Sequence, residues 1–392
     1  MNDWRETILG ELITFQRGHD LPQTQFKDGK YPIFGSNGII GYHDEYTTDA
    51  PGITIGRSGS IGNPFYIESK FWAHNTTLYV KKFHNSFPKF IFYLLTNINF
   101  QLFNSGSAVP SLNRNYIHPF PVLVPEIQEQ KRIADILSCL DAKIKNLRSQ
   151  NQTLEKIAQT LFDRWFIDFE FPNDSGEPYK SSGGAMVASE LGDIPVGWRV
   201  GKLGDVATNH SETHKFKDKK EIIFVNTGDV QEGFFLHETY SAISTLPGQA
   251  KKRIAENNIL YSEIRPINKR FAYVTYKDNL DDYVVSTKFM VIKANDLILP
   301  RLLYLILKRR ETVQNFQQVA ESRSGTFPQI TFESISDFSI LLANTSIQQK
   351  LMSTITPLLE KKEFNNHKIQ TLTKTRDTLL PKLMSGQIRI PE

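Results

Sequence analysis

One cysteine, Cys139, stands in 392 residues, which leaves no disulfide within the chain and no zinc site built on a cysteine cluster. No apolar run approaches the roughly 20 residues that a membrane-spanning helix needs. The opening MNDWRETILGEL has neither a basic stretch leading into an apolar run nor a small-residue cleavage site. A cytoplasmic protein with no membrane partner is expected. An excess of either charge is lacking too: 46 Lys and Arg stand against 42 Asp and Glu. A net charge of +4 is compatible with nucleic-acid binding and is also ordinary for soluble proteins. With 40% hydrophobic and 22% charged residues, the composition is that of globular domains. The length favours two of them or more.

Catalytic signatures are missing as well. No G-x-x-x-x-G-K-[ST] phosphate loop occurs, and Gly56, Gly59 and Gly62 miss the G-x-G-x-x-G spacing. Asn63-Pro64-Phe65-Tyr66 echoes a DNA-methyltransferase site but lacks its second proline, and no cofactor-binding glycine loop precedes it. His210 and His214 lie one helical turn apart, yet Glu212 is not where an H-E-x-x-H zinc site places its glutamate. We therefore expect a surface loop there, and no catalytic centre, cofactor or metal in the chain.

What the chain does have is a repeat. Trp4-Arg5-Glu6-Thr7-Ile8-Leu9-Gly10-Glu11-Leu12 is matched by Trp198-Arg199-Val200-Gly201-Lys202-Leu203-Gly204-Asp205-Val206. Ser107-Ala108-Val109-Pro110-Ser111-Leu112 is matched by Gly325-Thr326-Phe327-Pro328-Gln329-Ile330. An apolar strand follows each (Phe120 to Val124, Phe338 to Leu342), then Ile127-Gln128-Glu129-Gln130-Lys131 or Ile347-Gln348-Gln349-Lys350. Within the halves, Ile53-Thr54-Ile55 and Ile259-Leu260-Tyr261 read as short buried strands, each leading to an arginine, Arg57 or Arg265. Thr76 to Val80 and Thr287 to Val291 read as later strands. Helices are expected over Phe87 to Phe103 and Pro300 to Val319.

A long helix should close each half. From Ile133, four–three spacing gives Ile133, Leu137, Leu140, Ile144, Leu147, Asn151, Leu154, Ala158 and Leu161. Only Asn151 is polar, and one buried Asn is a device that fixes coiled-coil register. The second seam reads Leu351, Ile355, Leu358, Lys362, Asn365, Ile369, Leu372, Arg376 and Leu379. Its polar members imply either a loose coil or side chains turned toward a partner. Pro357 should kink this helix or mark its start, and Ser346 with Gln349 resembles a capping box at its entry. A helix from about Gln128 to Phe166 is roughly 58 Å long, so an antiparallel pair spares the linker from retracing that distance. The alternative is two amphipathic helices, each lying on its own domain.

The segment FPNDSGEPYKSSGGAMVASELGDIPVGW (171–198) reads by composition only as a linker. As a string it resembles the central segment of specificity subunits of type I restriction–modification systems. So do LFDRWFIDF (161–169), GKYPIFGSNG (29–38), GRSGSIG (56–62) and ILYSEIRP (259–266). The resemblance covers essentially the whole chain in order. It implies two target-recognition domains that each read half of a bipartite double-stranded DNA sequence, held apart by helical spacers. Two methyltransferase subunits and motor–nuclease subunits would be the partners, and they would supply the catalysis. The fold class is then α+β: two α/β target-recognition domains joined by two long helices in an antiparallel coiled coil, with a pseudo-two-fold from internal duplication. The expected division is 1–125 and 197–343 for the recognition domains, 126–168 and 344–392 for the spacer helices and tail, and 169–196 for the linker. The competing functions are a catalytic DNA-modifying enzyme and a purely structural coiled-coil adaptor.

DNA contacts require long basic or amide side chains on polar or Gly-rich loops, because phosphate contacts supply affinity and base edges supply specificity. In the first half the candidates are Ser36, Asn37, Tyr42, Arg57, Ser58, Ser60, His74, Asn75, Ser107 and Asn113. In the second they are Lys251, Lys252, Arg253, Tyr261, Arg265, Asn268, Lys269, Arg270, Ser286, Ser324 and Gln329. Arg57 and Arg265 are expected at comparable positions, where an arginine can grip guanine with two hydrogen bonds. Lys215, Lys217, Lys219 and Lys220 form either a phosphate-contacting loop or a solvated face. Phe162, Trp165, Phe166, Phe169 and Phe171 are expected to dock the first helix on the second domain rather than to stack bases.

Overall fold

The two ends of each repeat are joined by a strand pair. In a computed structural model, which describes residues 4–106, 108–275, 279–323 and 326–390, Arg5–Ile8 pairs antiparallel with Pro121–Val124. Arg199–Lys202 pairs with Ser339–Leu342 in the matching register. The bonds continue past each pair: Leu9 N donates to Phe120 O and Gly10 N to His118 O, while Leu203 N donates to Phe338 O and Gly204 N to Ser336 O, all at 2.9 Å. The matched tryptophan-led blocks of the sequence are these closures.

The chain divides into two units: residues to Gln152 together with those from Glu363, and residues Thr153–Lys362. In the first unit an antiparallel sheet has the order Ile13–Arg17, Thr77–Phe83, Gly52–Gly56, Pro64–Ile67. The second unit repeats it with Ala207–Asn209, Phe289–Ala294, Ile259–Ser262 and Phe271–Tyr273. A companion sheet in each contains one parallel pair: Tyr31–Gly35 with Trp72–Ala73, and Glu221–Val225 with Tyr283–Ser286. The Asn-Pro-Phe-Tyr echo begins the edge strand Pro64–Ile67. The helix expected after each sheet is broken. Pro88–Thr96 is followed by a short 3-10 turn at Phe100–Phe103, and Pro300–Leu307 by a separate helix Arg310–Arg323.

The long helices are Ile127–Phe166 and Thr345–Met384. Their apolar faces belong to the cores of the units they cross. Ile133, Ala134, Leu137, Leu380, Leu383 and Met384 pack with Leu9, Leu12, Phe90 and Val124. Ala158, Phe162, Leu351 and Ile355 pack with Leu203, Leu303 and Phe316. Pro357 lies inside the second helix rather than at its start. Asn344 caps it instead of Ser346: its Oδ1 accepts from Ile347 N and from the Ser346 hydroxyl, both at 3.0 Å. The asparagine precedes the first helical residue, so its side chain reaches an unpaired N–H that Ser346, already inside the helix, is not placed to serve.

The polar second seam is neither loose nor turned outward. In the first unit Asn365 Nδ2 donates to Asn151 Oδ1 at 2.9 Å, Asn151 Nδ2 donates to Asn366 Oδ1 at 2.7 Å, and Arg376 Nη1 meets Asp141 Oδ1 at 2.8 Å. Partners on the second helix come earlier as those on the first come later, so the two segments run antiparallel. Tyr93 adds a 2.7 Å bond to Asp141 Oδ2. Asn365 is only 1% exposed, so its amide has little access to water. Asn365→Ala is expected to lower this unit's stability by about 1–3 kcal/mol by leaving the Asn151 amide short of a partner. Joint replacement of Asn151 and Asn365 by leucine should recover most of that loss in urea denaturation while weakening register.

Candidate nucleic-acid interface

The central strand Gly52–Gly56 is buried along its length and ends at Arg57, where four loops meet. Arg57 N donates to Thr76 O at 2.8 Å, Leu112 N to Arg57 O at 2.8 Å, and Gly59 N to Pro110 O at 2.9 Å. The Ser36 hydroxyl, in the turn between Tyr31–Gly35 and Gly38–His43, bonds Ser58 O at 2.8 Å and Thr76 O at 2.7 Å. Gly56 is required here, since a Cβ would fall 1.9 Å from Ser60 O. Arg57 Nη1 donates to Asn75 O at 3.2 Å, and the Asn75 amide bonds Asp20. Burial, then the Arg17 charge, pushes the Arg57 guanidinium below its ordinary value, with Asp20 opposing.

Ser36, Arg57, Ser58, Ser60 and Asn75 thus share one rim. Ser36 is occupied in holding the loops. Asn37 is exposed at the turn tip, and Tyr42 is exposed on the next strand. His74 bonds the Thr76 hydroxyl at 3.0 Å and Leu21 O at 3.2 Å. The Asn113 side chain caps the turn Arg114–Ile117 through Asn115 N. Ser107 lies outside the described residues.

The second unit builds the same scaffold. Glu263 N donates to Lys288 O at 2.9 Å, Ile330 N to Glu263 O at 2.9 Å, and Arg265 N to Pro328 O at 3.1 Å. These bonds equate Glu263 with Arg57, Lys288 with Thr76, and Arg265 with Gly59. Arg57 and Arg265 are therefore not equivalent, contrary to expectation. Matching by residue type had shifted the comparison by two positions. Gly59 and Arg265 both have left-handed backbone, φ +79° and 44°, which an arginine adopts only at some cost.

Arg265 and Lys251 are exposed, and Arg270 is half-buried. Lys269 Nζ bonds Glu232 at 3.0 Å, and Asn268 O accepts from Gln231 at 3.3 Å. Lys252 Nζ donates to Phe289 O at 2.6 Å, Gln329 Oε1 accepts from Lys288 at 3.4 Å, and Arg253 is held by Asp281 at 3.0 Å and Glu212 at 3.5 Å. Two candidates are in the core: Tyr261 is 1% and Ser286 0% exposed. All four residues of each strand, Ile259–Ser262 and Tyr283–Ser286, are buried, so neither strand presents a side chain to a ligand. Ser324 lies outside the described residues. Glu263, Lys288 and Asp20 were missed: Glu263 and Asp20 are acidic, outside the basic and amide groups that phosphate and base-edge contacts favour; Lys288, though basic, stands in the short turn between the strands Tyr283–Ser286 and Phe289–Ala294. The match of Leu112 with Ile330 does not reveal Glu263, because Arg57 and Glu263 stand at different distances from it along the chain.

Of the lysine run, Lys219 is paired with Asp282, and Lys215, Lys217 and Lys220 are exposed. The aromatic cluster is core: Phe162, Phe166 and Phe171 pack with Trp198, and Phe171 stacks on it at 5.3 Å. Among the described residues, the His210–His214 segment included, no three or more His, Cys, Asp or Glu side chains come together so as to hold a metal ion. No helix among them is long and apolar enough to cross a membrane.

Residues 1–156 and 195–374 match the type I restriction modification DNA specificity domain. The type I restriction enzyme HindI specificity subunit of Haemophilus influenzae is 48% identical over 183 residues, 46% of this chain and 39% of that protein. The MjaIX specificity subunit of Methanocaldococcus jannaschii is 28% identical over 297 residues, 74% of this chain and 65% of that protein. Each match spans less than two thirds of the relative's own length. The crystal structure of a type I restriction–modification S subunit from M. genitalium aligns with a TM-score of 0.67, over 97% of this chain and 96% of that one, at 17% identity. That likeness is one of fold.

Proposed function

Because the chain belongs to the type I restriction modification DNA specificity family, we propose that it is the specificity subunit of such a complex, reading a bipartite double-stranded DNA target. Residues 1–125 and 197–343 are the readers, 126–168 and 344–392 the spacers, and 169–196 the linker. Two methyltransferase subunits and motor–nuclease subunits are its partners in the cytoplasm, and catalysis is theirs. The observation that supports this best is the duplicated strand end. Two rims are built by the same backbone bonds, yet each carries different polar side chains. One scaffold with variable side chains is what two readers of different half-sites require.

A DNA-modifying enzyme would need a reactive centre of its own, and the candidate motifs fall in an edge strand and in a loop whose His210 is exposed while His214 is buried and bonded to Asp281 O and Phe216 N. A structural adaptor would have no use for polar rims that differ between the repeats. The test exchanges residues 1–125 for the corresponding region of a relative with another target. With methyltransferase subunits added, one half of the methylated sequence should change while the other half and the spacing remain. Unchanged specificity would refute the assignment, as would methylation by the chain alone.

A further inference from the structure

The two equivalent strand ends carry opposite hydrogen-bonding chemistry. Arg57 offers only donors, and among the described residues a single bond, to Asn75 O, engages its guanidinium. Glu263, when ionised, offers only acceptors. Its side chain is 19% exposed and makes no hydrogen bond among the described residues; the nearest cation, Lys288 Nζ, stands at 3.9 Å. Lys252, on the adjoining sheet, is committed to Phe289 O. A half-buried carboxylate without a donor is an unmet acceptor, and such groups are costly unless a ligand completes them. Burial pushes this carboxyl up, while Lys252 and Lys288 oppose the shift.

A carboxylate at a DNA surface also meets phosphate repulsion. The second rim compensates where the first does not: Lys288 stands in place of Thr76, and Arg265 in place of Gly59. Lys288 stands beside the acid, and Arg265, two residues on, adds a second positive charge to the same rim; both positions are uncharged in the first unit, which lowers the electrostatic cost of bringing Glu263 to a duplex.

Resting on the DNA-reading function above, we propose that Arg57 and Glu263 are the corresponding specificity-determining residues of the two readers. Arg57 selects a guanine in the first half-site through the O6 and N7 acceptors. Glu263 selects a cytosine in the second by accepting from its N4 amino group. The half-sites thus differ at the place where the two folds correspond.

The experiment uses the full chain assembled with its methyltransferase subunits and a pool of randomised duplexes, with bound DNA sequenced. The unaltered chain gives the two half-sites; if it selects no bipartite sequence, the DNA-reading function fails before Glu263 is tested. Glu263→Gln should convert one cytosine of the second half-site to an adenine preference, since an amide matches adenine N6 and N7. Discrimination should change about 10- to 100-fold, with the first half-site unaffected. Arg57→Gln should do the same to one guanine of the first half-site. Unchanged preferences in both variants overturn the proposal, as does a uniform loss of affinity for all sequences. If Glu263→Gln does not fold, Glu263→Asp decides: its shorter carboxylate should weaken cytosine discrimination severalfold, and undiminished discrimination overturns the assignment.

Discussion

Glu155→Ala is expected to destabilise the unit spanning Thr153–Lys362 by about 2–4 kcal/mol, a loss discounted for the partial exposure of the carboxylate. Glu155, on the first long helix, receives Lys308, at the end of the helix Pro300–Leu307, and Lys362, on the second long helix. The two lysine side chains are 12% and 17% exposed. Without the carboxylate they would lose the one group that pairs with both, leaving only the weaker pull of Glu232 on Lys308. Burial alone would raise the Glu155 pKa, but Lys308 and then Lys362 outweigh it and hold the group at about 2. A folded-state pKa below the unfolded one stabilises the fold above the ordinary glutamate range, near 4.3, and that contribution fades as pH falls toward 2. Urea denaturation from pH 7 to pH 2 should therefore show the wild-type chain losing this increment below about pH 4.5. Glu155→Ala should lack it throughout. Replacing all three residues with apolar ones of similar volume should recover much of the stability.

Gln348→Leu is expected to cost about 2–4 kcal/mol, because it strands three backbone groups at once, that of Ala343 buried and those of Leu299 and Leu297 partly so. Its Oε1 accepts from Leu299 N at 3.0 Å, and its Nε2 donates to Leu297 O at 3.0 Å and Ala343 O at 2.9 Å. Leu299 precedes Pro300, the first residue of a helix. The glutamine of the long helix therefore caps a shorter helix of the same unit. Gln130 does the same in the first unit, accepting from Phe87 N ahead of Pro88 at 2.9 Å and donating to Pro125 O at 3.0 Å. Gln130→Leu should cost a similar amount, read as a lowered urea midpoint. Glutamate at either position can accept but, when ionised, cannot donate, so it should rescue only part of the loss.

The Ile-Gln block was visible in the sequence as a repeat, but its role was not. A glutamine in an amphipathic helix reads as surface until the backbone groups it serves are placed beside it. The closures led by Trp4 and Trp198, the buried strands at Ile53 and Ile259, and the apolar seams were legible from spacing, because burial imposes a period on residue type. Side-chain pairing across the seam was not. Lys362, Asn365 and Arg376 looked like defects until Glu155, Asn151 and Asp141 appeared opposite them. Tyr261 and Ser286 were misread because a strand buried on both faces has no polar alternation to distinguish rim from core. The equivalence of Arg57 with Glu263 was hidden for a different reason: it is defined by backbone bonds, and the side chains at the two positions have opposite charge.

The central claim, two DNA readers joined in one chain, is tested most directly by single-molecule sequencing of modified bases in DNA from cells that carry this chain with its partner subunits. Methylation should fall in two short sequences separated by a gap of fixed length and unspecified sequence. A single contiguous motif, or no motif dependent on this chain, would contradict it.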